Sequence, residues 1–283
     1  MRNGGRGWMY ALLVPMGVVL VLFLGIPVLL VVVESVRDPE TGRLTLEYYA
    51  RAFTRRLFRD AMMGSLTLAT VTTIVGTVLG LVVSYGVFRS RPRMQRALMT
   101  LSAVPLTFSG LVIAFAFIVT FGSSGFVTLL ISRVSGWNPL DISDFLFTWR
   151  GLVVAYLYFL IPRMVLVMMA AWSNADWSLV EAAESLGASR WTTWWRVTFP
   201  MLAPSILAGS SLLFAVSMGA FGTAFALTGT GVNILPLLVY TQVSEVSANL
   251  GQADALAVVL TVVTSLVVLL YQRIFPAGAP GAP

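Results

Sequence analysis

The chain has 283 residues with a mean hydropathy of +0.87; 58% are hydrophobic and 11% charged, an apolar share that makes a lipid bilayer the solvent for much of it. Its net charge of +6 rests on 18 basic residues, every one of them Arg, and it has no Cys and no His. That inventory excludes zinc or iron sites of the Cys/His kind, Ser-His and Cys-His nucleophiles, structural disulfides and a lysine-bearing phosphate loop.

A helical crossing needs about 20 largely apolar residues. Six windows meet that length, at approximately Tyr10 to Val33, Ala61 to Phe88, Ala97 to Phe121, Leu152 to Trp172, Met201 to Leu227 and Ala253 to Phe275. Crossing segments must be helical, because lipid offers no partner for backbone amides, so the fold class is an all-α integral membrane protein. Pro15 and Pro27 in the first window and Pro105 in the third mark expected kinks. The first window follows Arg2 and Arg6, but its apolar run is too long for a signal-peptide core and lacks a small-x-small cleavage site, so it reads as a retained signal anchor.

Residues 34–60 mix six Arg with five acids and carry Leu44, Leu46, Tyr48, Tyr49, Phe53, Leu57 and Phe58, an amphipathic pattern suited to the outer surface. With 1–60 as anchor and external segment, 61–275 forms the transmembrane domain and 276–283 a flexible tail. The run Arg89, Arg91, Arg93 and Arg96 contains no acid and abuts two windows; as a topology determinant it places both termini in the cytoplasm. Between the third and fourth windows, Phe126 to Ile131 is apolar but too short to cross, and reads as an interfacial helix.

The polar stretch 176–200 falls between the fourth and fifth windows. It predicts two short helices separated at Gly187, with Asp176 or Ser178 capping the first. Ala182, Ala183 and Ala188 leave a surface of little bulk from which Glu181 projects a carboxylate, a peg that another protein can approach closely. The order Glu181-Ala182-Ala183, Gly187, then Val197-Thr198-Phe199-Pro200 resembles the signature of the MetI-like membrane subunits of binding-protein-dependent ABC importers, with Val and Phe where that signature has Ile and Leu. The likeness extends over roughly Ala61 to Leu270.

The resemblance implies a type I permease with a six-helix core, paired with a second homologous permease or a copy of itself. In that family the loop is a coupling helix seated on a separate ATPase subunit dimer, and an extracytoplasmic solute-binding protein delivers the cargo. ATP and Mg then belong to the ATPase, with no cofactor, metal or catalytic residue in this chain and no nucleic-acid partner. The coupling residues are Glu181, Ala182, Ala183, Gly187, Arg190 and Pro200, and the setting is a bacterial inner membrane. Trp191, Trp194 and Trp195 read as interfacial anchors ahead of ATPase contacts.

For the cargo, Arg163 is the one charge well inside a window, after Pro162. It reads either as a lining residue favouring an anion, or as a side chain snorkelling to the interface or bonding carbonyls below Pro162. Ser217 and Thr223 in the fifth window read equally as pore lining or as close helix packing. The segments 217–223 and 233–236 look most like permeases of the spermidine/putrescine, iron and aminoethylphosphonate branch. That puts a polyamine first, with a phosphonate, another small anion or ferric iron as rivals. A secondary carrier or channel needing no ATPase is the alternative class.

Overall fold

The computed structural model describes residues 13–39, 41–244 and 249–274. Arg2, Arg6, Tyr10, Phe275 and the expected tail 276–283 lie outside them. Among the described residues the structure is helical apart from one isolated antiparallel bridge between Arg37 and Leu44.

The first crossing, α1 (Leu13–Glu34), contains a π turn at Val21–Gly25 just before Pro27. A short helix, α2 (Glu47–Thr54), leads into the long α3 (Arg56–Phe88). Next come α4 (Pro92–Thr107), α5 (Gly110–Phe121), α6 (Phe126–Ser135) and α7 (Pro139–Asp144). The central helix α8 (Trp149–Asn174) is followed by α9 (Ser178–Ser185), α10 (Arg190–Gly219) and α11 (Gly222–Thr228). The described chain finishes with α12 (Leu235–Ser244) and α13 (Leu250–Ile274). Six stretches are long and apolar enough to cross a bilayer: α1, α3, α5 with α6 (Gly110–Ser135), α8, α10 and α13.

Two of the expected crossings are broken, and the first break has a local cause. Residues 97–121 are not one helix: α4 ends at Thr107, two residues after Pro105, and Phe108 and Ser109 are extended before α5 begins. Pro105 removes an amide from the ladder and disfavours its continuation, while the Ser109 hydroxyl accepts from Val112 N at the start of the next helix. Residues 201–227 part at Ala220, which is extended between α10 and α11. The apolar piece 126–131 belongs to α6, which follows α5 after a turn and makes with it one apolar stretch of 26 residues.

Helix α8 is the axis of the core. Leu152, Ala155, Tyr156, Phe159, Leu160, Met164, Met168 and Trp172 recur every three or four residues and are all buried. Against them pack α3 and α10. Glycines let the backbones close up: a Cβ on Gly80 would collide with the Met164 side chain, and one on Gly209 would lie 2.6 Å from Met164 Sδ. Thr72 Oγ1 with Ser217 Oγ (2.8 Å) and Thr77 Oγ1 with Ser210 Oγ (3.0 Å) tie α3 to α10 by hydroxyl pairs.

At the far end of α3, the apolar residues of the amphipathic segment do not share one fate. Tyr48, Ala52 and Phe58 are buried, with Gln252 Nε2 donating to Tyr48 O (3.1 Å), whereas Leu44, Leu46, Phe53 and Leu57 are exposed. Tyr49 Oη shares a hydrogen bond of 2.7 Å with Ser35 Oγ. Asn233 Nδ2 donates to Leu57 O (3.1 Å), and Leu235 N donates to Ser65 Oγ (2.8 Å), fastening the loop before α12 to α3.

The glycine contact yields a paired prediction. Gly80→Val overpacks the α3–α8 seam and is expected to cost about 1–3 kcal/mol, lowering the Tm of the detergent-purified protein, whereas Gly86→Val, whose Cβ meets nothing within 4 Å, leaves Tm unchanged. Equal Tm values for the two variants would contradict the close approach.

Candidate functional site

Two regions collect the polar residues that a membrane chain has no packing reason to keep: the 176–200 loop at the Phe88 end of α3, and a cavity near the middle of α8.

The loop is built by local rules. Asp176 Oδ1 accepts from Ser178 N (3.1 Å) and Ser178 Oγ (2.6 Å), turning the chain into α9. At the other end Gly187 has φ +85°, Gly187 N donates to Glu184 O (3.0 Å) and Ala188 N to Ala183 O (3.1 Å). This is a Schellman stop, and it requires the left-handed conformation that glycine adopts without strain. Ser189 Oγ then accepts from Thr192 N (3.2 Å) and starts α10 at Arg190. A π turn at Trp194–Thr198 precedes Pro200 in α10.

Glu181, Ala182, Gly187, Arg190 and Pro200 are exposed and Ala183 is half-buried. Leu186, the residue before the Schellman glycine, is 88% exposed. Glu181, Glu184 and Arg190 also line a groove of about 580 Å³ against Tyr85 and Phe88 of α3 and Arg89 just after it.

What holds this loop is an aromatic stack that the sequence reading missed. Trp177 stacks on Phe88 (centroids 5.4 Å, 15° between planes) and on Trp172 (6.0 Å, 13°), and Trp172 stacks in turn on Trp194 (6.2 Å). Trp172 Nε1 donates to Ser84 Oγ (3.1 Å) and Trp177 Nε1 to Trp172 O (3.1 Å), so both indoles are satisfied as well as packed. Residues from α3, α8, the loop and α10 thus form one rigid block. Trp191 and Trp195 behave differently: they are 72% and 48% exposed and pair with each other at 5.7 Å. A Trp immediately before a helix that follows a Trp-ended crossing was the available signal for the stack, but sequence spacing does not show which face each indole takes.

The second region lies where the two helix breaks meet α8. A cavity of about 300 Å³ is bounded by Phe108 and Gly110 at the first break, by Gly219 to Thr223 at the second, and by Phe159 and Arg163 from α8. Tyr156, fully buried, donates its hydroxyl to Ala220 O, and Thr223 Oγ1 donates to Gly110 O (3.0 Å), so side chains serve the carbonyls exposed at the breaks. The Arg163 guanidinium lies 5.4 Å from the Phe159 ring centroid, and its Nη1 donates to Phe159 O (3.0 Å). No Asp or Glu lines this cavity. Charge at the centre of a spanning helix costs about 2.5–3.5 kcal/mol by insertion scales; the Phe159 carbonyl and ring offset part of it, as the carbonyl-bonding reading of Arg163 expected, while the same guanidinium also borders the cavity.

Of the three residues expected along a path, Arg163 and Thr223 border this cavity, while Ser217 faces Thr72 in the helix seam and does not. Phe108, Ser109 and the stretch 219–222 were missed because the apolar runs continue across both breaks; Ser109-Gly110 after Pro105 and the pair Gly219 and Gly222 were the only hints.

Residues 76–278 match the family described as binding-protein-dependent transport system inner membrane component. Over 215 residues the chain is 33% identical to the molybdenum transport system permease protein ModB of Mycobacterium tuberculosis, an alignment covering 75% of this chain and 77% of that one. It is 27% identical over 260 residues to the spermidine/putrescine transport system permease protein PotB of Haemophilus influenzae, covering 90% and 89%. Its fold matches a chain of the solved bacterial alginate ABC transporter, in complex with alginate pentasaccharide-bound periplasmic protein, with a TM-score of 0.74 at 21% identity over 97% of each chain.

The aromatic stack carries a prediction of its own. Trp177→Ala removes two ring contacts, each worth about 0.5–1.5 kcal/mol beyond area, and is expected to raise amide hydrogen exchange across 178–186 about tenfold while the middle of α8 keeps its protection. Unchanged exchange in the loop would show that the stack does not hold it.

Proposed function

The chain belongs to the family of binding-protein-dependent transport system inner membrane components, and from that premise we propose how this multi-pass ABC importer permease subunit is driven and what it carries. The driving force comes from outside the chain. Two copies of an ATPase subunit bind ATP and Mg, and α9 with its Schellman stop is the peg they hold; the permease itself catalyses nothing. Glu181, Ala182, Ala183, Gly187, Arg190 and Pro200 form the contact. The single observation behind this reading is the geometry of 176–200: an exposed, capped, small-residue helix fixed to three transmembrane helices by the Trp172–Trp177 stack. A peg so mounted passes motion into α3, α8 and α10 instead of absorbing it.

With the loop on the cytoplasmic side of the inner membrane, the opposite end of α3 with residues 34–60 and 229–235 faces outward, toward a solute-binding protein. The alginate relative, solved with its periplasmic protein, supports that partner by likeness. A second permease, homologous or identical, completes the membrane unit.

For the cargo, the cavity favours a small anion over the polyamine that the sequence likeness put first. A polycation needs carboxylates, and this cavity offers a guanidinium and none. The named cargo of ModB supports the same side, since molybdenum in neutral water is an oxyanion; that of PotB supports the polyamine.

Replacing Glu181 by Arg places a cation where the peg presents an acid. Glu181→Arg is expected to reduce ATP-dependent uptake in membrane vesicles at least about tenfold, a coupling loss within the usual range, with the amount of membrane-inserted protein unchanged. Uptake at the unaltered rate would remove Glu181 from the transmission.

A further inference from the structure

Arg163 has more donor capacity than the protein around it uses. A guanidinium presents five N–H groups, and the hydrogen bond found for it among the described residues is the one from Nη1 to Phe159 O. It stands at the fifteenth residue of a 26-residue crossing helix, far from either end. The space in front of it is formed by two interrupted helices, and the side chains nearest those interruptions are already occupied: Thr223 with Gly110 O, and Tyr156 with Ala220 O. Gly219, which also lines the cavity, has nothing within 4 Å of a would-be Cβ, so the wall there is bare. A half-buried cation with spare donors, facing a cavity of about 300 Å³ that no carboxylate among the described residues lines, is a site for an anion of a few heavy atoms.

We propose that Arg163 and the helix breaks at 108–109 and 220–221 form a transit site in mid-membrane that holds one small oxyanion while it crosses. The inference rests on the reading of the chain as an anion importer's permease and assigns that reading a residue. The guanidinium fork matches two oxygens of a tetrahedral anion at once. The Phe159 carbonyl is its resting partner: Nη1 leaves it for the cargo and returns when the cargo moves on. Competition from that carbonyl and the open Gly219 wall keep the hold weak, as a conduction site requires. Thr223 shapes the site through Gly110 and does not itself offer a free hydroxyl.

The test uses the whole complex, permease pair with ATPase and cognate binding protein, in proteoliposomes. Radiolabelled molybdate, 2-aminoethylphosphonate and spermidine are supplied separately, and uptake and cargo-stimulated ATP hydrolysis are read together. With an anion as cargo, Arg163→Gln is expected to cut uptake at least about tenfold while stimulated hydrolysis stays within about twofold, and Arg163→Lys to retain part of the uptake, since a point charge replaces a fork. Gly219→Leu fills the bare wall without touching the charge, and is expected to give the same separation of uptake from hydrolysis. Anion uptake by Arg163→Gln at the unaltered rate overturns the transit site and leaves the anion reading standing. A parallel loss of assembly and hydrolysis in Arg163→Gln, with Gly219→Leu fully active, also overturns it, by making Arg163 a structural group. Uptake of spermidine and of neither anion by the unaltered complex overturns the anion reading and the site with it.

Discussion

A backbone amide or carbonyl that leaves its helix inside a bilayer finds no water, and the structure is organised around that penalty. Where the helices are continuous the ladder itself answers it. Where they stop, at Phe108–Ser109 and at Ala220–Phe221, side chains answer it: Ser109 caps α5, Thr223 donates to Gly110 O, and Tyr156 reaches across from α8 to Ala220 O. Those three groups make the two breaks tolerable, and the breaks in turn leave the room beside Arg163. A cavity in this fold is therefore a by-product of interrupted helices, held open by polar side chains whose hydrogen-bonding capacity is already used.

The Phe88 end of the molecule solves the opposite problem. A loop meant to be pushed by another protein must be exposed, yet an exposed loop on a soft mounting would bend without moving anything. Exposure is concentrated on Glu181, Ala182 and Leu186, and stiffness on Trp172, Trp177, Trp194 and Phe88 behind them. The glycines at 76, 80 and 209 bring α3, α8 and α10 together at Leu213 and Met164, and the proposed drive from one end of α8 would run along that close-packed bundle toward Arg163.

What was legible in the sequence follows from how local each rule is. In the 176–200 loop the stop at Gly187 read correctly, because it acts through residues within a few positions of itself, but the expected cap did not: Trp177 is the N-cap of α9 without a side-chain bond, Asp176 forms a turn with Ser178, and the second helix is no short piece but runs on into the fifth crossing. The existence of six crossings followed from hydropathy alone. The breaks at 108–109 and 220–221 did not, since apolar side chains continue through them and only backbone direction changes. Ser217 and Thr223 looked alike for the same reason: a hydroxyl in a crossing carries no mark of the face it occupies, and the structure puts one in a helix seam and the other at a cavity. The Trp stack joins residues 88, 172, 177 and 194, from separate elements, and contact at that separation leaves no periodicity to read.

The central claim is that the Ala182 face of α9 is where an ATPase seats, and the chain's lack of any cysteine makes it directly testable. A single Ala182→Cys substitution, paired with cysteines placed singly along the exposed cleft of the partner ATPase, is treated with a short bifunctional thiol reagent in membranes containing the assembled transporter. The account predicts a permease–ATPase adduct from Ala182→Cys that changes in yield between nucleotide-free and ATP-bound states, and none from Leu44→Cys at the opposite end of the molecule. Adducts absent from Ala182→Cys in both states, in a complex that still transports, would contradict it.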